Sequence, residues 1–160
     1  MLSIRPATAA DAPLLTTLIL ELAEYEHLAS EAAVTEDDVA RLGFGPDPIF
    51  RAVIAEMGGQ VAGYALFFKF FSSFQGRVGL LLDDIFVRPQ FRRKGIGRAL
   101  LAHVAGVALK EGDFCVRFEV LDWNMPAMEF FRKAGAVPMD EWKPACLIGD
   151  ALEAAAELAK

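Results

Sequence analysis

Arg92-Arg93-Lys94-Gly95-Ile96-Gly97 carries the plainest chemical signal in this chain. It follows the strand-like run Leu80-Leu81-Leu82-Asp83-Asp84-Ile85-Phe86-Val87 and opens the helix-like run from Arg98 to Ala105. Two glycines let a backbone approach a ligand closely. The first N–H groups of a helix lack internal partners, and the helix dipole adds partial positive charge there. Arg92, Arg93, Lys94 and Arg98 add full charges around the same point. Strand, basic glycine loop and helix N-terminus together suit a phosphate, and point to a ligand that carries a pyrophosphate.

The elements that must position this loop follow from periodicity. Ser3 to Pro6 reads as a first strand. Thr8 or Asp11 caps a helix over Ala12 to His27, with Leu14, Leu15, Leu18, Ile19 and Leu22 on its apolar face and Pro13 in its first turn. Thr35 caps a second short helix that Gly43 ends. Ile49–Met57 and Val61–Phe71 form strands around the hairpin signal Gly58-Gly59. Arg77–Val87 is the next strand and Gly95–Lys110 the helix after the loop, stopped at Glu111-Gly112. Phe114–Leu121 alternates like a strand, and Asn124 caps a helix over Met125–Lys133 that Gly135 ends. A last strand over Trp142–Ile148 and a helix over Asp150–Lys160 complete the chain. No repeat, linker or boundary interrupts it, so residues 1–160 read as a single α/β domain whose sheet has an antiparallel front half and a crossover at the basic loop.

Composition excludes several classes. The net charge of −6 argues against nucleic acid, which needs a basic face. Five of the 16 basic residues nevertheless fall between Arg88 and Arg98, and the acidic remainder suits a cationic substrate. No apolar run is long enough to span a bilayer: Lys69 interrupts one and Asp83 ends another. The N-terminus lacks a signal-peptide core, and Cys115 and Cys146 read as two buried free thiols, with a single disulfide as the alternative, so a cytoplasmic protein is expected. His27 and His103 have no metal-ligand spacing, and no metal is expected.

Gly95-Ile96-Gly97 lacks the third glycine of a dinucleotide fingerprint, and no G-x-x-x-x-G-K-[ST] occurs. The pattern that remains, R-x-x-G-x-G after a strand, resembles the pyrophosphate loop of the GNAT N-acetyltransferases. Ile4-Arg5-Pro6-Ala7-Thr8-Ala9-Ala10-Asp11, Glu21-Leu22-Ala23-Glu24-Tyr25-Glu26, Asp84-Ile85-Phe86-Val87-Arg88-Pro89, Trp123-Asn124-Met125-Pro126 and Phe130-Phe131-Arg132-Lys133-Ala134-Gly135-Ala136 resemble successive blocks of its diamine (spermidine/spermine) and thialysine acetyltransferase branch. The resemblance implies the GNAT fold, a mixed central sheet with splayed central strands and flanking helices. It also implies acetyl-CoA as cosubstrate, a small cationic amine as acceptor, direct attack in a ternary complex, and a homodimer. Cys146-Leu147-Ile148 and the Phe67-Phe68, Phe70-Phe71 run are interface candidates, unless those phenylalanines fill the core.

Residue by residue, the resemblance assigns backbone groups of Ile85, Phe86 and Val87 to the pantetheine arm and acetyl carbonyl. Arg92, Arg93, Lys94, Gly95, Ile96, Gly97 and Arg98 fall to the pyrophosphate, and Asn124, Ala127 and Phe131 to the lower part of CoA. An alkylammonium must lose a proton before it attacks, because its pKa is about 10. Asp83 holds the family position for that task, with Asp84 expected to raise its pKa by like-charge repulsion. Glu119, on the neighbouring strand, is a second carboxylate for binding or deprotonation, while Tyr25 and Glu26 match a substrate-contacting pair. Asp140, Glu141 and Trp142 resemble an acidic segment lining the amine site; a polar loop anchored by one Trp is the alternative.

One position departs from the pattern. The family's proposed general acid is a tyrosine, and this chain has Phe131, which cannot donate a proton. Water or another donor in its place is the favoured reading, since a thiol leaves readily with a pKa of about 8.5. A non-catalytic acyl-CoA-binding module and a protein or peptide N-acetyltransferase are the alternatives.

Overall fold

The computed structural model describes residues 1–158, so Ala159 and Lys160 of the expected last helix lie outside the described residues. In chain order come β1 (Leu2–Pro6), α1 (Ala12–Tyr25), α2 (Glu36–Phe44), β2 (Arg51–Met57), β3 (Gln60–Ser72), β4 (Arg77–Val87), α3 (Ile96–Glu111), β5 (Val116–Arg117), α4 (Met125–Lys133) and α5 (Asp150–Ala156). Short 3-10 turns at Ala9–Asp11 and Pro89–Phe91 lead into α1 and out of β4.

The sheet runs β1-β2-β3-β4-β5, antiparallel through β4 and parallel only between β4 and β5. Gly58 and Gly59 both have positive φ, 61° and 78°, which is what a two-residue hairpin between β2 and β3 requires. The middle strands are apolar on both faces because both are covered. Ala52, Ile54, Tyr64, Leu66 and Phe86 pack with Leu15, Leu18 and Leu22 of α1 and Val39 of α2. Val53, Ala55, Ala65 and Phe67 alternate with them and face the other side, where α3 packs on β3 and β4. The buried residues of α3, Ile96, Leu100, Val104 and Ala108, recur every four positions along one stripe.

Two expectations are corrected. The strand over Phe114–Leu121 shrinks to Val116–Arg117, and residues 118–121 belong to no helix or strand. β4 and β5 pair only at Leu80↔Val116 and Leu81↔Arg117. Beyond those pairs β4 continues to Val87 with an open edge, the splay that the resemblance implies. Trp142–Ile148 forms no strand: β propensity alone does not make one without a ladder to join.

By packing, the chain forms two compact units, Met1–Leu121 and the part from Asp122 onward. The first holds the sheet and α1–α3. The second holds α4, capped by Asn124 through Ala127 N–H (3.2 Å), and α5. Both cysteines are free thiols as expected, but Cys115 is half-buried and Cys146 exposed. No described helix is long and apolar enough to cross a membrane.

Candidate active site

The first unit's site is built around the free edge of β4. Arg88 N–H donates to Ala62 of β3 (2.9 Å), so alternation directs the backbone groups of Arg88 and Phe86 toward β3 and those of Val87 and Ile85 away from it. The Val87 carbonyl confirms this direction by accepting from Arg92 Nε at 3.0 Å. Ile85 and Val87 therefore present outward N–H groups. Phe86 contributes its side chain instead, buried and edge-on to Tyr64 at 6.4 Å. Gly63 opposes Val87, and a Cβ there would run into the Phe86 carbonyl; the strands approach this closely because residue 63 has none.

The basic loop turns on two left-handed residues. Arg93 has φ 63° and Gly95, the N-cap of α3, has φ 82°. The space a Cβ on Gly95 would enter holds no atom within 4 Å, so the α3 N-terminus opens onto a clear approach. Arg93, Lys94 and Arg98 are exposed around it, and Arg93 and Arg98 make no ion pair among the described residues. No acidic residue occupies the first turn of α3. Cations at the positive end of a helix are unfavourable on their own, so this arrangement is suited to an incoming anion. The other two arginines of the cluster turn inward. Arg88 makes a bidentate pair with Glu21 of α1 (2.8 and 2.7 Å), and Arg92 covers the Tyr25 ring at 4.4 Å. A cleft of about 530 Å³ lies between them, lined by Glu21, Glu24, Tyr25, Phe86, Arg88, Pro89, Gln90 and Arg92.

A β-bulge makes the second feature. Leu66 pairs with Asp84 and Phe67 with Leu82, so Asp83 is an extra residue in β4. It breaks the alternation that would send Asp83 and Asp84 to opposite faces. Both carboxylates come within electrostatic reach of Glu26 at the end of α1. Asp84 accepts a hydrogen bond from Tyr64 Oη at 2.8 Å. Burial pushes Asp84 up from 3.8 to about 6, the Tyr64 bond opposes that rise, and Asp83 and Glu26 add to it. Burial also raises Glu26, with Asp83 contributing, and raises Asp83, with Glu119 contributing. Glu119 is thus a further like charge acting on Asp83, and the repulsion between Asp83 and Asp84 adds to the rise of the more buried Asp84. Glu119 itself sits two residues past β5, in the irregular segment that follows it, not on a strand.

None of Glu26, Asp83, Asp84 and Glu119 forms an ion pair among the described residues. Four carboxyl groups, three of them pushed up, form a site able to bind ammonium groups or accept a proton. Asp84 and its partner Tyr64 were missed as a site pair by sequence reasoning. The only available signal was two adjacent acids in an otherwise apolar strand, since the bulge has no local marker. Tyr64 is fully buried, and burial raises its pKa well above 10, with the charge of Asp84 and the bond to it adding to that rise.

The remaining sequence-derived residues lie in the second unit. Asn124 and Phe131 are buried, at 4% and 5% exposure, and Phe131 packs edge-on to Phe130 at 5.0 Å. Ala127 supplies the N–H that Asn124 caps. Asp140 and Glu141 form an exposed turn, and Trp142 is 65% exposed. No group of three or more His, Cys, Asp or Glu among the described residues is placed to hold a metal ion.

An open-edged β4, an anion-ready helix N-terminus and a bulge lined by acids make up the site, and the chain belongs to the acetyltransferase (GNAT) family, whose model matches residues 15–136. It is an acetyltransferase. Among curated relatives, it is similar to the thialysine N-epsilon-acetyltransferase of Bos taurus, 37% identical, with 86% of this chain and 85% of that protein covered. An L-ornithine N5-acetyltransferase of Arabidopsis thaliana is 41% identical over 74% of this chain, which spans about half of that longer protein (49%). Among solved structures, an integron cassette protein from the mobile metagenome of V. cholerae shares the fold with a TM-score of 0.81, at 22% identity and 98% coverage of both chains.

Proposed function

We propose that this acetyltransferase moves the acetyl group of acetyl-CoA to a primary amine of a small cationic acceptor, a diamine, a polyamine or a thialysine-like amino acid, by direct attack in a ternary complex. The observation that carries the acceptor class is the set of four carboxyl groups, Glu26, Asp83, Asp84 and Glu119, gathered at the bulge of β4 with no ion pair among the described residues. Such a set favours a molecule with ammonium groups and disfavours anions. Its relatives are named for thialysine and ornithine, both amino acids with a side-chain amine, which agrees with this choice.

The outward N–H groups of Ile85 and Val87 hold the pantetheine arm as an added strand would be held, and polarise the thioester carbonyl as negative charge develops on its oxygen. Gly95, Ile96 and Gly97 offer backbone N–H groups, and Arg93, Lys94 and Arg98 offer charge, to the pyrophosphate. Asp83 takes the proton from the acceptor ammonium, directly or through water. The freed amine nitrogen attacks the carbonyl carbon, the C–S bond breaks as the nitrogen gives its second proton to solvent and becomes the amide, and the leaving thiolate takes a proton from solvent, since Phe131 has none to give. Tyr25, Glu26 and Glu119 orient the acceptor. For Asn124, Ala127 and Phe131 toward CoA, and for Asp140, Glu141 and Trp142 toward the amine, the family resemblance is the sole support. It is likewise the support for residues 1–160 acting as one catalytic domain and for a homodimer; a cytoplasmic location is supported by the two free thiols, Cys115 and Cys146.

The test is thiol release from acetyl-CoA across putrescine, spermidine, thialysine, lysine, ornithine, an aminoglycoside and a short peptide. Turnover with a small diamine or diamino acid, lost in Asp83→Asn, is the expected result. A rate gain in Phe131→Tyr would show that the absent acid limits the wild type. Turnover confined to the peptide, or none with any amine despite acetyl-CoA binding, would overturn the acceptor class or the catalytic reading respectively.

A further inference from the structure

The four basic side chains of the loop do not do one job. Arg93, Lys94 and Arg98 are exposed at the α3 N-terminus. Arg92 begins the same R-x-x-G-x-G motif, but its side chain is half-buried and turned the other way. Nε donates to the Val87 carbonyl at 3.0 Å, and the guanidinium carbon lies 4.4 Å from the centre of the Tyr25 ring and 6.0 Å from that of Phe86. It makes no ion pair with any described carboxylate, although Glu21 and Glu24 line the same cleft. Its charge is balanced by a carbonyl and aromatic faces, which suits a planar guanidinium and not an ammonium.

From these contacts we infer that Arg92 is a positioning residue that locks Tyr25, at the end of α1, to the Val87 end of β4, and that it is not a phosphate ligand. Resting on the proposed reaction, this makes it the mechanical link between the strand edge that holds the thioester and the helix end that carries Tyr25 and Glu26. Loosening the link misplaces the acceptor against the carbonyl, where small displacements are costly to rate. The phosphate contact, made by Arg93, Lys94, Arg98 and the helix N-terminus, is left in place.

Arg92→Met, Arg92→Lys and Arg93→Gln separate the two roles. CoA binding is measured by calorimetry and acceptor kinetics by thiol release. Arg92→Met is expected to lower kcat/KM for the acceptor about 10- to 100-fold while changing CoA affinity less than about threefold. Arg92→Lys is expected not to restore the loss, because lysine keeps the charge but neither the Nε bond nor the flat face. Arg93→Gln is expected to weaken CoA binding with little effect on acceptor KM. A tenfold loss of CoA affinity in Arg92→Met that Arg92→Lys repairs would overturn the inference, since a phosphate accepts either cation. The pairing with Tyr25 has its own readout independent of turnover. In a double-mutant cycle of Arg92→Met and Tyr25→Leu followed by thermal unfolding, non-additive effects are expected and strict additivity overturns the contact. Absence of turnover in the wild type would count against the proposed reaction alone, because the binding and unfolding measurements still decide the role of Arg92.

Discussion

The basic loop and the acidic bulge are close along the chain and differ in kind. The loop, Arg92–Arg98, is a local device: its two left-handed residues, its helix N-terminus and its cations are all neighbours in sequence. The bulge at Asp83 is a tertiary device. Its partners are Tyr64 on β3, Glu26 on the end of α1 and Glu119 beyond β5. The loop invites charge by leaving a helix end and its cations unsatisfied. The bulge does so by holding carboxyls where burial and each other resist their ionisation. A site built from neighbours tolerates change one residue at a time, whereas a site built from four elements depends on strand register.

The sharpest way to break the comparison is at the bulge. Asp83→Asn should lower kcat by about 10²–10⁴-fold, the usual range for losing a general base, with CoA binding unchanged. A loss below tenfold would move the proton acceptor to Glu119 or water. Gly63→Ala tests the register itself. Its new Cβ meets the Phe86 carbonyl, so the β3–β4 contact must open beside the outward N–H groups of Ile85 and Val87. A destabilisation of about 1–3 kcal/mol with a rise in acetyl-CoA KM is expected, read by thermal unfolding and initial rates.

Asp84→Asn should have the opposite sign on stability. The folded state raises the Asp84 pKa from 3.8 to about 6, so between these values the native protein binds more protons than the unfolded chain. Stability from this group is present below about pH 4 and is lost as pH rises through about 6. An asparagine keeps an acceptor for Tyr64 without the buried charge. It should therefore raise stability at pH 7 by roughly 1–3 kcal/mol and bring little gain at pH 4. Equal gains at both pH values would show that Asp84 ionises freely.

The smallest effect belongs to the loop. Arg93→Gln with Arg98→Gln should raise acetyl-CoA KM by about tenfold and flatten its salt dependence. The same pair should leave the free protein slightly more stable, by a few tenths of a kcal/mol, because cations at a helix N-terminus oppose the dipole. Lower stability in that variant would mean that these arginines hold the fold rather than await a ligand.

Apart from β5, the strands and helices of the first unit were legible in the sequence to within a few residues, as were the hairpin at Gly58-Gly59, the basic loop and the family. Each depends on periodicity, capping or turn chemistry, which act between residues near in the chain. The sequence overextended β5 and added a strand over Trp142–Ile148, because a strand exists only where a ladder receives it. Only the tertiary structure decided which cations face the anion site and which face inward: Arg88 is taken by Glu21, and Arg92 by Val87 and Tyr25. It alone decided that Asp83 is the bulged residue and that Tyr64 holds Asp84, since register and burial are set by strands distant in sequence.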